Sequence, residues 1–202
     1  MRREYFYLVG IGIILVSVFL LIIFITLVDT EGPIIVNTAV AQNVPSSAEL
    51  TNRFQEGVVL TFLYPKGWTY AIPRTDFIIV SDPASASQSA GPTLTIERIE
   101  PAPNTGVAET LDAYLQRSLL RSGTTWRIIS GPSAITIDGR EALRVVLEGG
   151  QSVGAPELHT EVVATQGDSN TIYIFQQTAL ASVYPSMVDV FNGMLNSVDI
   201  KE

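Results

Sequence analysis

Polarity along this chain falls into three regimes, each predicting a different kind of structure. From Phe6 to Val28 there is no Asp, Glu, Lys, Arg or His. As a helix rising about 1.5 Å per residue the run reaches roughly 34 Å, enough to cross a bilayer core. Backbone polar groups inside lipid must satisfy one another, so the run is expected to be one transmembrane helix. From Asp29 to Asn52 the chain is rich in Thr, Ser, Asn, Pro and Ala and sustains neither the strand nor the helix period. Pro33 and Pro45 oppose helix propagation there, so this segment reads as a tether, interrupted by the apolar patch Ile34-Ile35-Val36.

Beyond the tether the pattern is one of short β-like runs with two helical insertions. Val58–Tyr64 and Trp68–Ile72 are apolar, β-branched or aromatic, and Pro65-Lys66-Gly67 between them has turn chemistry. Phe77–Val80 is a short strand, Ala84–Gly91 a loop, and Thr93–Ile99 alternates, with Leu94, Ile96 and Arg98 facing one way and Thr95, Glu97 and Ile99 the other. Leu111, Tyr114, Leu115, Ser118 and Leu119 recur at helical spacing, with Thr110 as the expected cap, Asp112 in the first turn and Ser122-Gly123 as the stop.

Strands follow at Trp126–Ile137, Ala142–Glu148, Leu158–Thr165 and Thr171–Gln177. Asp138-Gly139 marks a hairpin between the first two, and Gly167-Asp168-Ser169-Asn170 one between the last two. A second helical period spans Val183–Leu195, and a short strand is expected around Val198–Ile200. Strands joined by tight turns, with one helix inserted midway and another at the end, predict an α+β domain: an antiparallel β-sheet with helices packed on its faces. The expected organisation is a cytoplasmic N-terminus (1–5), the membrane helix (6–28), the tether (29–52) and one globular domain (53–202), with no internal repeat.

The flanks orient the anchor. Arg2 and Arg3 precede the run while Asp29 and Glu31 follow it, and basic residues are retained on the cytoplasmic side. The expected location is the inner (plasma) membrane, single-pass, with the C-terminal domain extracytoplasmic. A rival reading is a signal peptide, because Ala39-Val40-Ala41 before Gln42 has the small-x-small form of a cleavage site. The run exceeds the 7 to 15 apolar residues usual for a signal and ends well upstream of Ala41, and Tyr5 and Tyr7 sit where an interfacial aromatic belt would. Gly10 and Gly12 are two apart, so the Gly-x-x-x-Gly pairing signature is missing, although contact with another subunit's helix through Gly10, Gly12 and Ser17 stays open.

Charge and chemistry narrow the function. Removing Arg2, Arg3 and Glu4 from 12 basic and 20 acidic residues leaves 10 and 19 beyond the run. An acidic ectodomain repels phosphate, so nucleic acid is excluded as an expected partner. The chain has no cysteine, which rules out disulfides, thiolate catalysis and a lipoprotein thioether. With His159 as the one histidine, any Ser-His-Asp triad must use it.

Glu157, His159 and Glu161 alternate on a predicted strand and could present three metal ligands to one face. The same spacing is normal for a strand whose acidic residues discourage edge-to-edge pairing, so no metal, catalytic residue or cofactor is expected. Asp138-Gly139 lacks the full acidic spacing of a calcium loop. Gly149-Gly150 lacks a phosphate-cradling pattern and reads as a flexible turn. Trp68, Tyr70, Tyr173 and Phe175 are candidates for a ligand pocket, with core packing as the commoner use of such residues.

From about Gln55 to Ile200 the order of these pieces resembles the PsbP-like family, whose fold is shared with Mog1. The matching pieces are Phe62-Leu63-Tyr64-Pro65-Lys66-Gly67-Trp68, the helix with Leu111-Asp112-Ala113-Tyr114-Leu115, Asp138-Gly139-Arg140-Glu141-Ala142, Thr171-Ile172-Tyr173, and the last helix from Tyr184 to Leu195 followed by Ser197-Val198. The resemblance implies an α/β/α sandwich. It also implies a role in binding and stabilising, as in luminal accessory proteins of photosystem II and bacterial lipoproteins. This chain departs from those relatives in carrying an apolar helix where they have a transit peptide or a lipidated cysteine.

Together these readings predict a non-catalytic accessory subunit of a multisubunit membrane complex in respiratory or photosynthetic electron transfer. Its expected partners are integral membrane subunits and the lipid bilayer. The alternative is a free-standing anchored binding domain serving envelope assembly or small-ligand capture.

Overall fold

The computed structural model describes residues 50–55, 59–83, 91–167 and 170–201, all within the unit Asn43–Glu202. The run Phe6–Val28, nearly all of the tether and the loop 84–90 lie outside the described residues. Among the described residues no helix is long and apolar enough to cross a membrane.

Ten strands and two helices follow the order β1 (Leu50–Gln55), β2 (Leu60–Pro65), β3 (Thr69–Arg74), β4 (Phe77–Ser81), β5 (Thr93–Ile99), α1 (Val107–Ser118), β6 (Arg127–Ile137), β7 (Arg140–Gly149), β8 (Leu158–Gln166), β9 (Ile172–Leu180), α2 (Tyr184–Asn196) and β10 (Asp199–Ile200). Among the described residues all strand pairings are antiparallel. They form not one sheet but two: a three-stranded sheet ordered β1-β2-β10 and a seven-stranded sheet ordered β3-β4-β5-β9-β8-β7-β6.

The division occurs at Pro65-Lys66-Gly67-Trp68. Trp68 N–H donates to the Pro65 carbonyl at 3.2 Å, and Gly67 has φ +90°, the left-handed third position that a type II turn requires. The turn delivers the chain from β2 in one sheet to β3 in the other, so the strands flanking it do not pair. Trp68 is 6 % exposed and meets Phe191 of α2 edge-on, ring centroids 6.4 Å apart.

Side-chain alternation sends β8 and β9 into two separate cores. Val163, Tyr173 and Phe175 join Phe54, Phe62, Trp68, Met187 and Phe191 between the two sheets and α2. Their sequence neighbours Val162, Ala164, Ile172 and Ile174 pack with Leu111, Leu115, Leu119 and Trp126 under α1. Because strand side chains point to opposite faces in turn, α1 and α2 cover opposite faces of the large sheet.

Short polar ties fix the second layer. Gln177 Nε2 donates to the Phe191 carbonyl at 2.9 Å, the Ser197 hydroxyl accepts from Leu63 N–H at 2.8 Å, and Asp138 Oδ2 accepts from Ile200 N–H at 2.9 Å. The last bond gives the Asp138-Gly139 hairpin a second purpose. Positive φ at both residues (50° and 72°) makes the tight turn between β6 and β7, and the carboxylate holds the C-terminal strand.

Four local expectations are corrected. The tether does not run through Asn52, because β1 begins at Leu50; only Phe54 of that strand is buried, so its composition looks like linker. Helix α1 is capped at Gly106, whose N–H donates to Glu109 Oε2 at 3.1 Å, and Thr110 is buried inside the helix. Glu109, not Asp112, therefore occupies the first turn, where a carboxylate favours the orphan N–H groups. Gly149 is no loose turn: at φ +143°, a Cβ there would sit 2.5 Å from the Thr125 carbonyl oxygen, so only glycine admits the close approach of the chain before β6.

Trp68→Ala is expected to lower the free energy of unfolding by about 3–5 kcal/mol, with Trp68→Phe costing less. Urea denaturation measures both, and a loss for Trp68→Ala below about 1 kcal/mol would contradict the seating of α2 on this residue.

Candidate functional site

The two faces of the seven-stranded sheet differ in how completely they are covered. On the α2 face the aromatic core is continuous with the small sheet. On the α1 face the helix packs over β7, β8 and β9, and the polar side of β5 and β4 lies beside it. There a groove of about 540 Å³ is lined by Arg74, Phe77, Glu97, Tyr114, Arg117 and Gln176, among others.

Its floor and wall come from five elements, β3, β4, β5, α1 and β9. Glu97, on the polar side of β5, stands between two arginines: Arg117 of α1 at 3.2 Å and Arg74 of β3 at 3.5 Å. Each guanidinium also lies over a ring, Arg117 over Tyr114 at 5.8 Å and Arg74 over Phe77 at 5.2 Å. The Tyr114 hydroxyl donates to Gln176 Oε1 at 2.7 Å, joining helix to sheet. Burial, reinforced by the nearby Glu97 charge, pushes the Tyr114 phenol up to about 12, so it is a neutral donor at physiological pH. Arginine fixed over aromatic rings beside amide and hydroxyl groups is suited to recognition: it offers directional donors at low entropic cost.

The histidine lies on the other face. His159 and Glu161 share the side of β8 that bears Val163, opposite the groove. His159 Nδ1 lies 3.3 Å from Glu148 Oε1, and its ring lies against Tyr184 of α2 with centroids 3.9 Å apart. Glu157, one residue before β8, meets Arg127 at 3.4 Å, and Arg127 also meets Glu148 at 3.2 Å. Glu161 is buried, with Arg144 at 3.9 Å. Glu157 and Glu161 are thus each engaged by an arginine, and among the described residues no three His, Asp or Glu side chains converge as a metal site.

Burial pushes the Glu161 carboxyl up, against the opposing pull of Arg144 and His159. The Tyr184 hydroxyl is likewise pushed up, by burial and then by Glu161.

The aromatic quartet divides. Trp68, Tyr173 and Phe175 are core residues, whereas Tyr70 is half-exposed on edge strand β3, edge-on to Phe54 at 5.2 Å. The groove residues are scattered from Arg74 to Gln176 and carry no motif. The one sequence signal for them is the alternation that puts Thr95 and Glu97 on the polar side of β5.

Comparison with solved structures gives the fold. No protein-family model matches the chain, and no curated protein matches it in sequence. Cyanobacterial PsbP (CyanoP) from Synechocystis sp. PCC 6803 superposes with a TM-score of 0.56 at 13% identity, over 74% of this chain and 91% of that one. LpqN, involved in cell envelope biogenesis of Mycobacterium tuberculosis, gives 0.53 at 12%, over 75% and 90%. The Saccharomyces cerevisiae Ran-binding protein Mog1p gives 0.51 at 10%, over 74% and 95%.

Two outcomes test this geometry. Tyr114→Phe is expected to cost about 0.5–1.5 kcal/mol, the net worth of the hydrogen bond to Gln176, as read by thermal or urea unfolding. Because the folded-state pKa of Glu161 lies above its unfolded value, its contribution is present at low pH and is lost as pH rises through that folded pKa. Glu161→Gln should therefore gain stability relative to the parent as pH rises from the acid range to neutrality. A gain that shrinks over that range would mean the Arg144 pair outweighs burial.

Proposed function

From a PsbP/Mog1-like fold as premise, we propose that this chain is a non-catalytic accessory subunit of a multisubunit membrane complex, of the kind that carries respiratory or photosynthetic electron transfer. Phe6–Val28 inserts as its single membrane helix, and the folded domain stands on the extracytoplasmic side as a binding module. The observation that carries the binding role is the separation of chemistry from access: the open groove presents arginines, amides and a neutral phenol, while the chain's one imidazole is packed against Tyr184 on the opposite face. Fold likeness to CyanoP and the resemblance to photosystem accessory proteins support the accessory assignment, and the apolar run supports the anchor. Tethering raises local concentration, so the domain needs no large interface to hold a neighbouring subunit.

A second reading is favoured by the groove's volume, which falls in the range of small-ligand sites, and by fold likeness to LpqN. In it the domain works alone at the membrane, capturing a small ligand or serving envelope assembly.

Native purification in mild detergent separates the two. Stable co-migration with other integral subunits, lost when residues 1–28 are deleted, is the expected result. A solitary monomer in gentle extraction would contradict the accessory reading.

A further inference from the structure

The described domain has two ends, set by the run of its strands, and they differ in a way that bears on the membrane. One register row crosses the whole large sheet: Thr69 opposite Ser81, then Thr93, Thr178, Thr160, Leu147 and Ile128. The chain enters the domain at this end, since Leu50 pairs with Pro65 just before the turn into β3. The segment between β7 and β8, residues 150–157, lies at the same end, because Gly149 and Leu158 pair directly.

This end carries apolar groups that the fold leaves in water. Val153 is 86 % exposed between β7 and β8, and Ile128 and Ile129, at the start of edge strand β6, are 46 % and 45 % exposed. A valine so exposed, followed by Gly154, contributes nothing to the core. On the same side of this end Arg121 is exposed after α1 and Arg127 pairs with Glu148 and Glu157, while Lys66 lies before β3 at the opposite sheet edge. These three cations are offset by Asp82, Glu148 and Glu157, with Glu49 next to Leu50 in sequence, so this end is near neutral and most of the acidic excess of the domain lies elsewhere.

We infer that this end is the membrane-facing surface of the domain, with Val153, Ile128 and Ile129 inserting into the interfacial layer of the bilayer beside Arg121. The inference rests on the anchored reading above. Residues 29–49 connect the apolar run to Leu50, and a linkage of so few residues keeps the domain's local concentration at the bilayer high enough for a weak contact to be populated. Anionic lipid repels the more acidic remainder and leaves this near-neutral end as the one that can approach. Apolar side chains flanked by cations are the usual composition of an interfacial contact. With this end down, the groove beside α1 opens sideways along the membrane, toward neighbouring integral subunits.

Because the chain has no cysteine, single sites can be labelled cleanly. Full-length Val153→Cys, Ile128→Cys and Ala102→Cys, each carrying an environment-sensitive fluorophore, are reconstituted into phosphatidylcholine vesicles containing phosphatidylglycerol and quenched by headgroup-labelled lipid. Ala102 is exposed just after β5, at the far end. The expected result is a blue-shifted, lipid-quenched signal at 153 and 128 and an aqueous one at 102. Protein that floats with vesicles while all three labels report water overturns the inference and leaves the anchor intact. Protein that fails to float with vesicles overturns the anchored reading, and this surface with it.

Discussion

Everything in this domain is hung on the three-residue passage between its sheets. A chain leaving β2 must reverse and change layer at once. The left-handed Gly67 permits that reversal, and Trp68 fills the space it opens. The indole then provides the surface on which α2 rests, and α2 in turn positions Ser197 against Leu63 and leads into β10. The small sheet, the second helix and the aromatic core are therefore one cooperative layer. A void at Trp68 would be felt by all three, because close-packed interiors relax only partly around a lost side chain.

That layer seals one face of the large sheet, and the other carries the groove beside α1. Where α1 covers β7, β8 and β9 the core is dry. Past the helix edge, the same sheet shows Thr95, Glu97 and Gln176 beside the ring-stacked arginines. A carboxylate shared by two guanidiniums keeps both near the groove, where an incoming partner can compete for their remaining donors. On the α2 face Glu161 and Tyr184 are buried, and His159 is held between Glu148 and the Tyr184 ring.

The strands from β2 onward, both helices and the Asp138-Gly139 hairpin are legible in the sequence because each is a local pattern: alternation, a period of 3.6, or a turn dipeptide. Thr93–Ile99 matches β5 at both ends for this reason. What stays hidden is set by tertiary geometry. Strand β1 buries Phe54 alone, so nothing local distinguishes it from tether. The split into two sheets depends on which strands find partners after the Gly67 turn, and the groove joins residues from Arg74 to Gln176 that only the folded register brings together. The cap of α1 misleads for a different reason, since glycine has no side chain to announce itself and the signal is Glu109 three residues on.

The proposed tethered binding module would join these facts, with one face sealed by α2 and the small sheet and the other carrying the groove. Backbone hydrogen exchange of the full chain, compared between native membranes and the isolated detergent-solubilised protein, tests this most directly. The account predicts slower exchange in native membranes at β4, β5 and the Tyr114–Ser118 turn of α1, with the α2 face unchanged. Identical exchange around the groove in both preparations would contradict it.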